Sequence, residues 1–297
     1  MKFPKFKAVM FDYDGTLTRR GEFVPSDELV ATLDKIAASG VPVAVCTGRQ
    51  LESFERRFGP HFEQLSPEAQ KNFYLFGENG AIGYKYDFDQ KKFVEIYMGA
   101  WPLEIPKDLF RDDLMKAMAD IAEYVDGHRI PFVLRPINAL HISIEEVHKG
   151  SDLIFEALDK FIPAYEYHND EHEKTYRASD FLHYGNSGLG CIVVPAQADK
   201  DSAIKAFYEY LSREGIVDFE EDDGKCREIM VVGDNPGVGG NDHFFLKGTY
   251  GTAYSVGRIE DDAPEEAEFP IKVLDENGER LFHGEGTLYL LKAAFGI

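Results

Sequence analysis

A pair of carboxylates and the loop that follows them could form one chemical site. Asp12 and Asp14 stand two positions apart at the end of an apolar run, Phe6 to Phe11. Because side chains alternate along a strand, both carboxylates are expected on the same side. Gly15 lets an anion approach the backbone closely, and Thr16 adds a hydroxyl beside it. By itself, however, an Asp-x-Asp turn is as often a helix cap or a hairpin feature.

A second strand-like segment ends in a loop of similar chemistry. Val41 to Cys46 is a continuous apolar run, and Thr47-Gly48-Arg49 follows it directly. The loop offers a hydroxyl and exposed backbone N–H groups just before a predicted helix at 51–58, and helix N-termini stabilise anions. In isolation such a loop is an ordinary strand–helix turn, so its interest depends on the other loops.

The most informative segment is a strand that ends in a glycine-rich loop. Ile229 to Val232 is predicted to be a buried strand, and it delivers Asp234 into a loop that ends at Asn241 and Asp242. Hard oxygen ligands of this kind suit Mg²⁺, which keeps waters and takes only a few carboxylates. Without a cation, these aspartates would place unpaired charge near the first two carboxylates, at a cost in free energy. The sequence therefore indicates a magnesium site.

The elements that must position these loops alternate between strand and helix. The strands at 6–11 and 41–46 enclose a predicted helix at 29–37, with Ser26 as its N-cap and Gly40 just after its end. Such alternation implies a parallel sheet with right-handed crossovers, whose ligands bind at the carboxyl ends of the strands. We therefore predict an α/β fold with a Rossmann-like parallel-sheet core.

The pattern changes after residue 83 and returns at residue 190. Between these points the sequence predicts an inserted α+β cap at 84–189, with helices and strands at 108–124, 132–134, 140–144 and 151–161. The strand at 190–195 is then expected to rejoin the first sheet, together with later elements at 202–213, 229–232 and 250–256. We therefore predict a discontinuous catalytic core at 1–83 and 190–297.

Composition limits the partners that this chain can have. The chain has 297 residues, and 53 acidic against 32 basic residues give a formal net charge of -21. Such a surface repels phosphate backbones and anionic lipids, so we expect no nucleic-acid and no membrane partner. Three scattered cysteines form no disulfide framework, and we find neither a secretion signal nor an apolar stretch of about 18 residues. We expect a cytoplasmic protein.

Taken in order, the polar loops resemble the four motifs of the haloacid dehalogenase superfamily. The matching residues are Asp12-Tyr13-Asp14-Gly15-Thr16, Thr47-Gly48-Arg49, Lys200, and Gly233-Asp234 with Asn241-Asp242. Lys200 alone would be taken for a surface lysine, and each motif alone is weak, whereas four in order at strand ends are specific. The cap inserted after the second motif is similar to that of the Cof-type sugar phosphatases, and Phe76 to Ala81 supports the same subfamily.

This resemblance implies a mechanism and a role for each matching residue. It implies that Asp12 attacks phosphorus, that Asp14 protonates the leaving alcohol and then activates water, and that Lys200 offsets negative charge. Mg²⁺ would be held by Asp12, the Asp14 main-chain carbonyl and Asp234, with Asp242 supporting the ligands from behind. The phosphate-binding groups that it implies are Thr16, Thr47, Gly48 and Asn241.

The loop that carries the fourth motif, Gly233 to Asp242, is called the fourth loop below. It also resembles a different family, the eukaryotic-type phosphomannomutases. Two departures favour hydrolysis of a sugar phosphate over phosphosugar transfer. The second loop, Thr47-Gly48-Arg49, has the phosphatase form, and the stretch 144–150 lacks the second arginine that a mutase uses to hold a bisphosphate. Phosphosugar mutase activity stays as the alternative. Trehalose-phosphate phosphatases match less well, because their fourth motif has a different acidic pattern.

The cap is expected to choose the substrate, because the core offers only a phosphate site. Arg135, at a strand end before Pro136, is the first candidate for a cap contact, and the others are Arg177, His141 and His183. Each of these is also the kind of residue that serves on a surface or in a structural hydrogen bond.

Two other classes of function compete with a phosphatase. An inactive scaffold of the same fold would be expected to lack at least one of Asp12, Asp14, Lys200 and Asp234. A dehalogenase uses no magnesium, which would leave Asp14 and Asp234 unexplained. The identity of the small phosphorylated substrate and the oligomeric state stay open.

Overall fold

The computed structural model describes residues 3–19, 21–119, 132–136, 139–144, 150–186, 190–196, 198–222, 225–259 and 268–297. For 132–136, 141, 143, 144 and 222 it describes the backbone only. The strands are β1 Ala8–Phe11, β2 Val43–Cys46, β3 Phe73–Gly77, β4 Ile82–Asp87, β5 Lys92–Met98, β6 Phe132–Pro136, β7 Leu140–Ile144, β8 Glu166–Asn169, β9 Lys174–Arg177, β10 Leu182–Asn186, β11 Cys191–Pro195, β12 Glu221–Asp222, β13 Lys225–Cys226, β14 Ile229–Gly233, β15 Thr252–Ser255 and β16 Ile271–Lys272. The α-helices are α1 Asp27–Ala38, α2 Leu51–Phe62, α3 Pro67–Lys71, α4 Lys107–Ala117, α5 Gly150–Ala164, α6 Lys200–Arg213 and α7 His283–Phe295.

The larger sheet has eight strands in the order β16-β15-β14-β1-β2-β3-β4-β5. Its first six strands are parallel, and β4 and β5 extend it as an antiparallel edge. The parallel core that the strand–helix alternation predicts is thus confirmed, with an added hairpin at one side. Helix α1 confirms its predicted signals, because the Ser26 hydroxyl accepts a bond from the Leu29 N–H and Gly40 has a φ of 94°.

The central strands are buried on both faces, which explains their continuous apolar sequences. In β1, Val9 and Phe11 pack into one core with residues of α1, α2 and α7, whereas Ala8 and Met10 pack into a second core with residues of α6. Helices therefore cover both faces of the sheet but not the carboxyl ends of its parallel strands, where the polar loops lie. Within the described ranges, no helix is long and apolar enough to cross a bilayer.

The second sheet has four antiparallel strands in the order β10-β11-β7-β6, with α5 among the residues of its core. The expectation that the strand at 190–195 rejoins the first sheet is wrong, because β11 pairs with β10 and β7. Every residue of β11 is buried, so its composition alone does not distinguish a place in one sheet from a place in the other.

The sheet pairing also bears on the domain boundaries. The hairpin of β4 and β5 belongs to the large sheet, although the sequence assigned 84–98 to the cap. The chain passes from the large sheet to the second sheet near Gly99 and returns near Ala198. These two points lie side by side, since a Cβ added to Gly99 would fall 2.2 Å from the Cβ of Ala198. We propose boundaries near residues 99 and 198 in place of 83 and 190.

Candidate active site

The first and fourth loops meet where neighbouring parallel strands end. In the sheet, Phe11 of β1 pairs with Val232 of β14 on one side and with Val45 of β2 on the other. The chain beyond these positions carries Asp12 and Asp234, and the Asp12 N–H donates to the Val232 carbonyl at 2.9 Å. The register of the sheet therefore brings together carboxylates that are more than 200 residues apart in sequence.

A buried lysine links Asp12 to a further carboxylate, that of Asp242. The Nζ of Lys200 lies 2.7 Å from Asp12 Oδ1 and 2.5 Å from Asp242 Oδ1. All three residues are almost completely buried, with Lys200 exposing 1% of its surface. Lys200 is the first residue of α6, which Asp199 caps by accepting a bond from the Ser202 N–H. Its N-terminal position is what directs the ammonium group into the site.

Burial and charge shift the pKa values of this cluster in opposite senses. Loss of solvent raises the pKa of Asp12 to about 7, the nearby Asp242 charge adds to this rise, and Lys200 opposes it. Burial disfavours the Lys200 ammonium, yet the two adjacent carboxylates raise its pKa above the usual value. The lysine is therefore a permanent cation that offsets part of the negative charge.

Asp242 organises the fourth loop. Its Oδ2 accepts bonds from the N–H groups of Asp234 at 3.0 Å and Asn235 at 3.1 Å, while its Oδ1 faces Lys200. A Cβ at Gly233 would lie 2.8 Å from the same Oδ2, so only glycine fits beside it. Both oxygens of Asp242 thus have partners, Oδ2 in the backbone of the loop and Oδ1 in Lys200.

Three carboxylates could hold a cation. Asp12, Asp234 and Asp242 each offer an oxygen, and these atoms lie within 4.8 Å of one another. Hard, mostly buried oxygen donors of this kind fit Mg²⁺. The Asp14 carboxylate is not part of this group, and the expectation that Asp14 contributes a main-chain carbonyl stays a prediction. The exact ligand set stays a proposal.

The structure reveals a role for Arg49 that we did not infer from the sequence. Its guanidinium forms two bonds to the Asp14 carboxylate, at 2.9 Å from Nε and at 2.5 Å from Nη2. Parallel bonds of this kind fix the orientation of a carboxylate. The sequence signal was present, because Arg49 ends the second loop and β2 lies beside β1, but only the sheet order makes the two loops neighbours.

The predicted phosphate-binding groups differ in their surroundings. Gly48 is exposed, and among the described residues its N–H has no hydrogen-bond partner. The Thr47 hydroxyl accepts a bond from the Arg49 N–H, and Asn241 Oδ1 accepts one from Asn235. Thr16 is completely buried, and its hydroxyl finds no partner within the described part of the chain.

Of the cap candidates, His183 reaches the cleft. It lies on β10 of the second sheet, its Nδ1 is 2.7 Å from Asp199 Oδ2, and its ring stacks on Phe244 with centroids 4.2 Å apart. These residues line a narrow cleft together with Lys200 and Asn241. Asp199, which we did not single out in the sequence, thus orients a cap histidine as well as capping α6.

The other cap candidates are elsewhere or not described. Arg177 is exposed and pairs with Glu166 across the β8–β9 hairpin. Arg135 and His141 lie on β6 and β7, but their side chains fall outside the described part of the structure. The prediction that Arg135 contacts the substrate therefore stays a prediction.

A strained turn supports the cleft from below. Glu78 and Asn79 have φ values of 52° and 61°, a region that residues other than glycine rarely occupy, and both are buried. Their N–H groups bond to the carbonyls of Arg49 and Thr47, and Asn79 lines the cleft beside Lys200. The turn thereby braces the second loop, a role that the sequence did not indicate.

The chain is similar in sequence to a known protein family and in fold to several solved structures. A family model described as haloacid dehalogenase-like hydrolase matches residues 9–278. The IMP-bound IMP-nucleotidase of Plasmodium falciparum is 11% identical with a TM-score of 0.62, and the match covers 98% of this chain and 67% of that one.

Two bacterial structures match over nearly their whole length. A Thermotoga maritima protein is 17% identical, with 97% of each chain covered and a TM-score of 0.54. A Eubacterium rectale protein is also 17% identical, with 98% and 99% covered and a TM-score of 0.52. Among curated proteins no relative matches. At these identities the structural matches establish a shared fold.

Proposed function

The chain belongs to the haloacid dehalogenase-like hydrolases, and on this premise we propose that it is a phosphatase. It removes phosphate from a small phosphorylated metabolite, a sugar phosphate, in a magnesium-dependent reaction through a phosphorylated aspartate. The observation that carries the proposal is the buried Lys200 held between Asp12 and Asp242 at the strand ends. A buried cation beside a buried carboxylate suits nucleophilic attack on an anionic ester.

Asp12 and Asp14 divide the chemistry between them. A carboxylate oxygen of Asp12 forms a bond to phosphorus as the bond to the ester oxygen breaks, and Asp14 donates a proton to the leaving alcohol. Water then attacks the phosphorus of the phosphorylated Asp12, the bond from phosphorus to the Asp12 oxygen breaks, and inorganic phosphate leaves. Asp14 accepts a proton of that water, which returns both carboxyl groups to their starting states. Arg49 donates two hydrogen bonds to Asp14 and so fixes the position of this acid–base group.

The remaining groups bind and position the phosphate. The Gly48 N–H, the Thr47 hydroxyl, the buried Thr16 hydroxyl and the Asn241 amide are proposed to hold the transferring oxygens. Asp12, Asp234 and the Asp14 carbonyl would hold Mg²⁺, and Asp242 would keep the loop of Asp234 in place. When bound, Mg²⁺ neutralises charge that would otherwise repel the substrate.

The substrate class rests on the cap and on the resemblance to sugar phosphatases. His183, held by Asp199 and stacked on Phe244, lines the cleft, and its imidazole is proposed to bond to a sugar hydroxyl there. Phosphosugar mutase activity stays as the alternative because of the form of the fourth loop. The cysteines are free and buried, which is compatible with the cytoplasmic location that we propose.

The experiment is phosphate release by the purified protein, with Mg²⁺ and after chelation. The substrates are mannose, glucose, sucrose and trehalose phosphates, mannosyl phosphoglycerate, and IMP because an IMP-nucleotidase shares the fold. We expect magnesium-dependent release concentrated on one sugar ester, and IMP preference would overturn the substrate class. Interconversion of mannose 1- and 6-phosphate with a bisphosphate activator, without hydrolysis, would support the mutase.

The matched variant is Asp12→Asn, which removes the nucleophile and keeps the side-chain shape. We expect no measurable turnover together with an unchanged circular dichroism spectrum. Near-normal turnover by this variant would refute the assignment of Asp12 as the nucleophile, and full activity after thorough chelation would refute the role of Mg²⁺.

A further inference from the structure

A second cavity, separate from the catalytic carboxylates, lies behind the fourth loop. Its volume is about 420 Å³, which is within the range of pockets that bind metabolites. Among the described residues, three cationic side chains line it, Lys225, Arg227 and Lys247, together with one carboxylate, that of Glu268. The chain has a formal net charge of -21, so a cavity lined mainly by cations differs in charge from most of its surface and could attract anions.

The cations of this wall are only partly compensated by the described residues around them. Glu268 lines the cavity with them and the Asp201 carboxylate interacts electrostatically with Lys247, but within the described ranges none of the three cations makes a salt bridge. Arg227 lies over the Phe269 ring at 4.7 Å and donates through Nη1 to the Gly251 carbonyl at 2.7 Å. These contacts hold its guanidinium at the wall, and within the described part of the chain Nε and Nη2 make no hydrogen bond. A planar guanidinium suits phosphate or carboxylate.

The cavity shares one loop with the catalytic site. Pro236, His243 and Lys247 line the cavity, and the same loop carries Asp234 and Asp242 toward the site. His243 Nδ1 lies 3.1 Å from the Pro236 carbonyl, which ties the two ends of the loop together. A ligand in the cavity would therefore touch the back of the loop that places the catalytic carboxylates.

A side-chain stack gives a second connection to the cleft. The Nζ of Lys247 lies 4.4 Å from the centre of the Phe244 ring, and the His183 ring stacks on Phe244 with a centroid distance of 4.2 Å. Lys247 thus faces the cavity at one end of a stack whose other end is the cap histidine of the cleft.

We propose that this cavity is a regulatory site for a small organic anion that carries two or more phosphate or carboxylate charges. Binding neutralises the cationic wall and restrains the loop at 234–247. The proposal does not depend on the reaction that the catalytic site performs, so it can be tested by binding alone.

The first test is calorimetric titration with inorganic tripolyphosphate of protein freed of metal by a chelating resin, because a soluble chelator such as EDTA is itself a polyanion that could occupy the cavity. Under these conditions the catalytic site presents a surplus of carboxylates and repels the probe. The pocket variant is Lys225→Ser with Lys247→Ser, and the control is Lys116→Ser with Lys205→Ser, two exposed lysines elsewhere. We expect the pocket variant to bind about tenfold more weakly or worse, and the control to bind within about twofold of the unsubstituted protein.

Two results would overturn the proposal. The first is no binding by the unsubstituted protein, and the second is equal loss of affinity in the pocket and control variants.

The regulatory part of the proposal has a separate readout. Hydrogen exchange of a peptide covering 234–247 is compared with and without tripolyphosphate, again without metal. Slower exchange in the unsubstituted protein and no change in the Lys225→Ser, Lys247→Ser variant would support it. Binding without any change in exchange at this loop would refute a regulatory role.

Discussion

At the scale of single residues, the pair of Asp14 and Arg49 shows how one contact can define a catalytic role. Arg49 occupies both oxygens of Asp14, and its side chain is only 16% exposed. A general acid works only when its proton stands within hydrogen-bond reach of the leaving oxygen. In the proposed reaction the arginine therefore positions Asp14, while Asp14 itself transfers the proton.

This pair leads to a prediction for Arg49→Lys. Lysine keeps the charge but cannot form the two parallel bonds, so the orientation of Asp14 is lost. We expect kcat to fall about 10- to 100-fold with little change in KM, because the contact acts on the reacting group. Steady-state kinetics measure both constants. A rise in KM at constant kcat would show that Arg49 binds substrate instead.

The raised pKa of Asp12 predicts a pH dependence of metal binding. Because burial holds this pKa at about 7, acid conditions keep the carboxyl protonated and Mg²⁺ must displace that proton. The affinity is therefore full above this pKa and is lost as the pH falls through it. We expect the Kd for Mg²⁺ to rise about tenfold between about pH 8 and pH 6.

Calorimetry in buffers of different ionisation enthalpy measures both this Kd and the protons released on binding. About half a proton should be released near pH 7. A Kd that does not change over this range would contradict the assignment of Asp12 as a metal ligand.

At the scale of elements, the turn after β1 depends on a glycine that lies against Asp234, a proposed ligand of Mg²⁺. Gly15 has a φ of 79°, and a Cβ added to it would lie 2.3 Å from Asp234 Oδ2. Gly21 provides a matched control, since its φ is 86° and an added Cβ meets nothing within 4 Å. The two positions therefore separate backbone strain from crowding of the site.

We predict different outcomes for Gly15→Ala and Gly21→Ala. Both variants lose about 1 to 2 kcal/mol in the free energy of unfolding, because alanine disfavours the left-handed region. Only Gly15→Ala should also weaken Mg²⁺ binding, by about tenfold or more, because its methyl group displaces a carboxylate ligand. Urea unfolding and metal titration measure the two effects. Equal metal affinity in both variants would argue against Asp234 as a ligand.

At the scale of the whole molecule, the net charge of -21 acts against the compact state. Salt screens this repulsion, since the Debye length falls to about 10 Å near 0.1 M ionic strength. We therefore predict that Tm rises by about 2 to 5 °C when NaCl increases from about 10 mM to 300 mM. A scanning calorimeter measures this shift, and a constant or falling Tm would contradict the expectation.

Specific metal binding can be separated from screening in the same experiment. MgCl₂ at equal ionic strength should raise Tm further than NaCl, because a ligand that binds only the folded state stabilises it. The extra rise should disappear in a variant with Asp12→Asn and Asp234→Asn. If it persists there, Mg²⁺ acts through general screening or through another site.

The sequence by itself determined the parallel core and the placing of its polar loops. Continuous apolar runs such as 41–46 mark strands that are buried on both faces, and the residues that follow them must lie at one edge of a parallel sheet. Local rules also hold within the chain, because the Ser26 cap and Gly40 fix the ends of α1. These features depend on neighbours in sequence, so periodicity and spacing reveal them.

Only the tertiary structure decided which sheet β11 joins and which side chains meet. A fully apolar strand fits either sheet, so the pairing of Cys191–Pro195 depends on the hairpin that precedes it. The contacts of Arg49 with Asp14, and of His183 with Asp199, likewise follow from strand order and from the fold of the cap onto the core. Such contacts join residues that are distant in sequence, and no local pattern specifies the distance between their atoms.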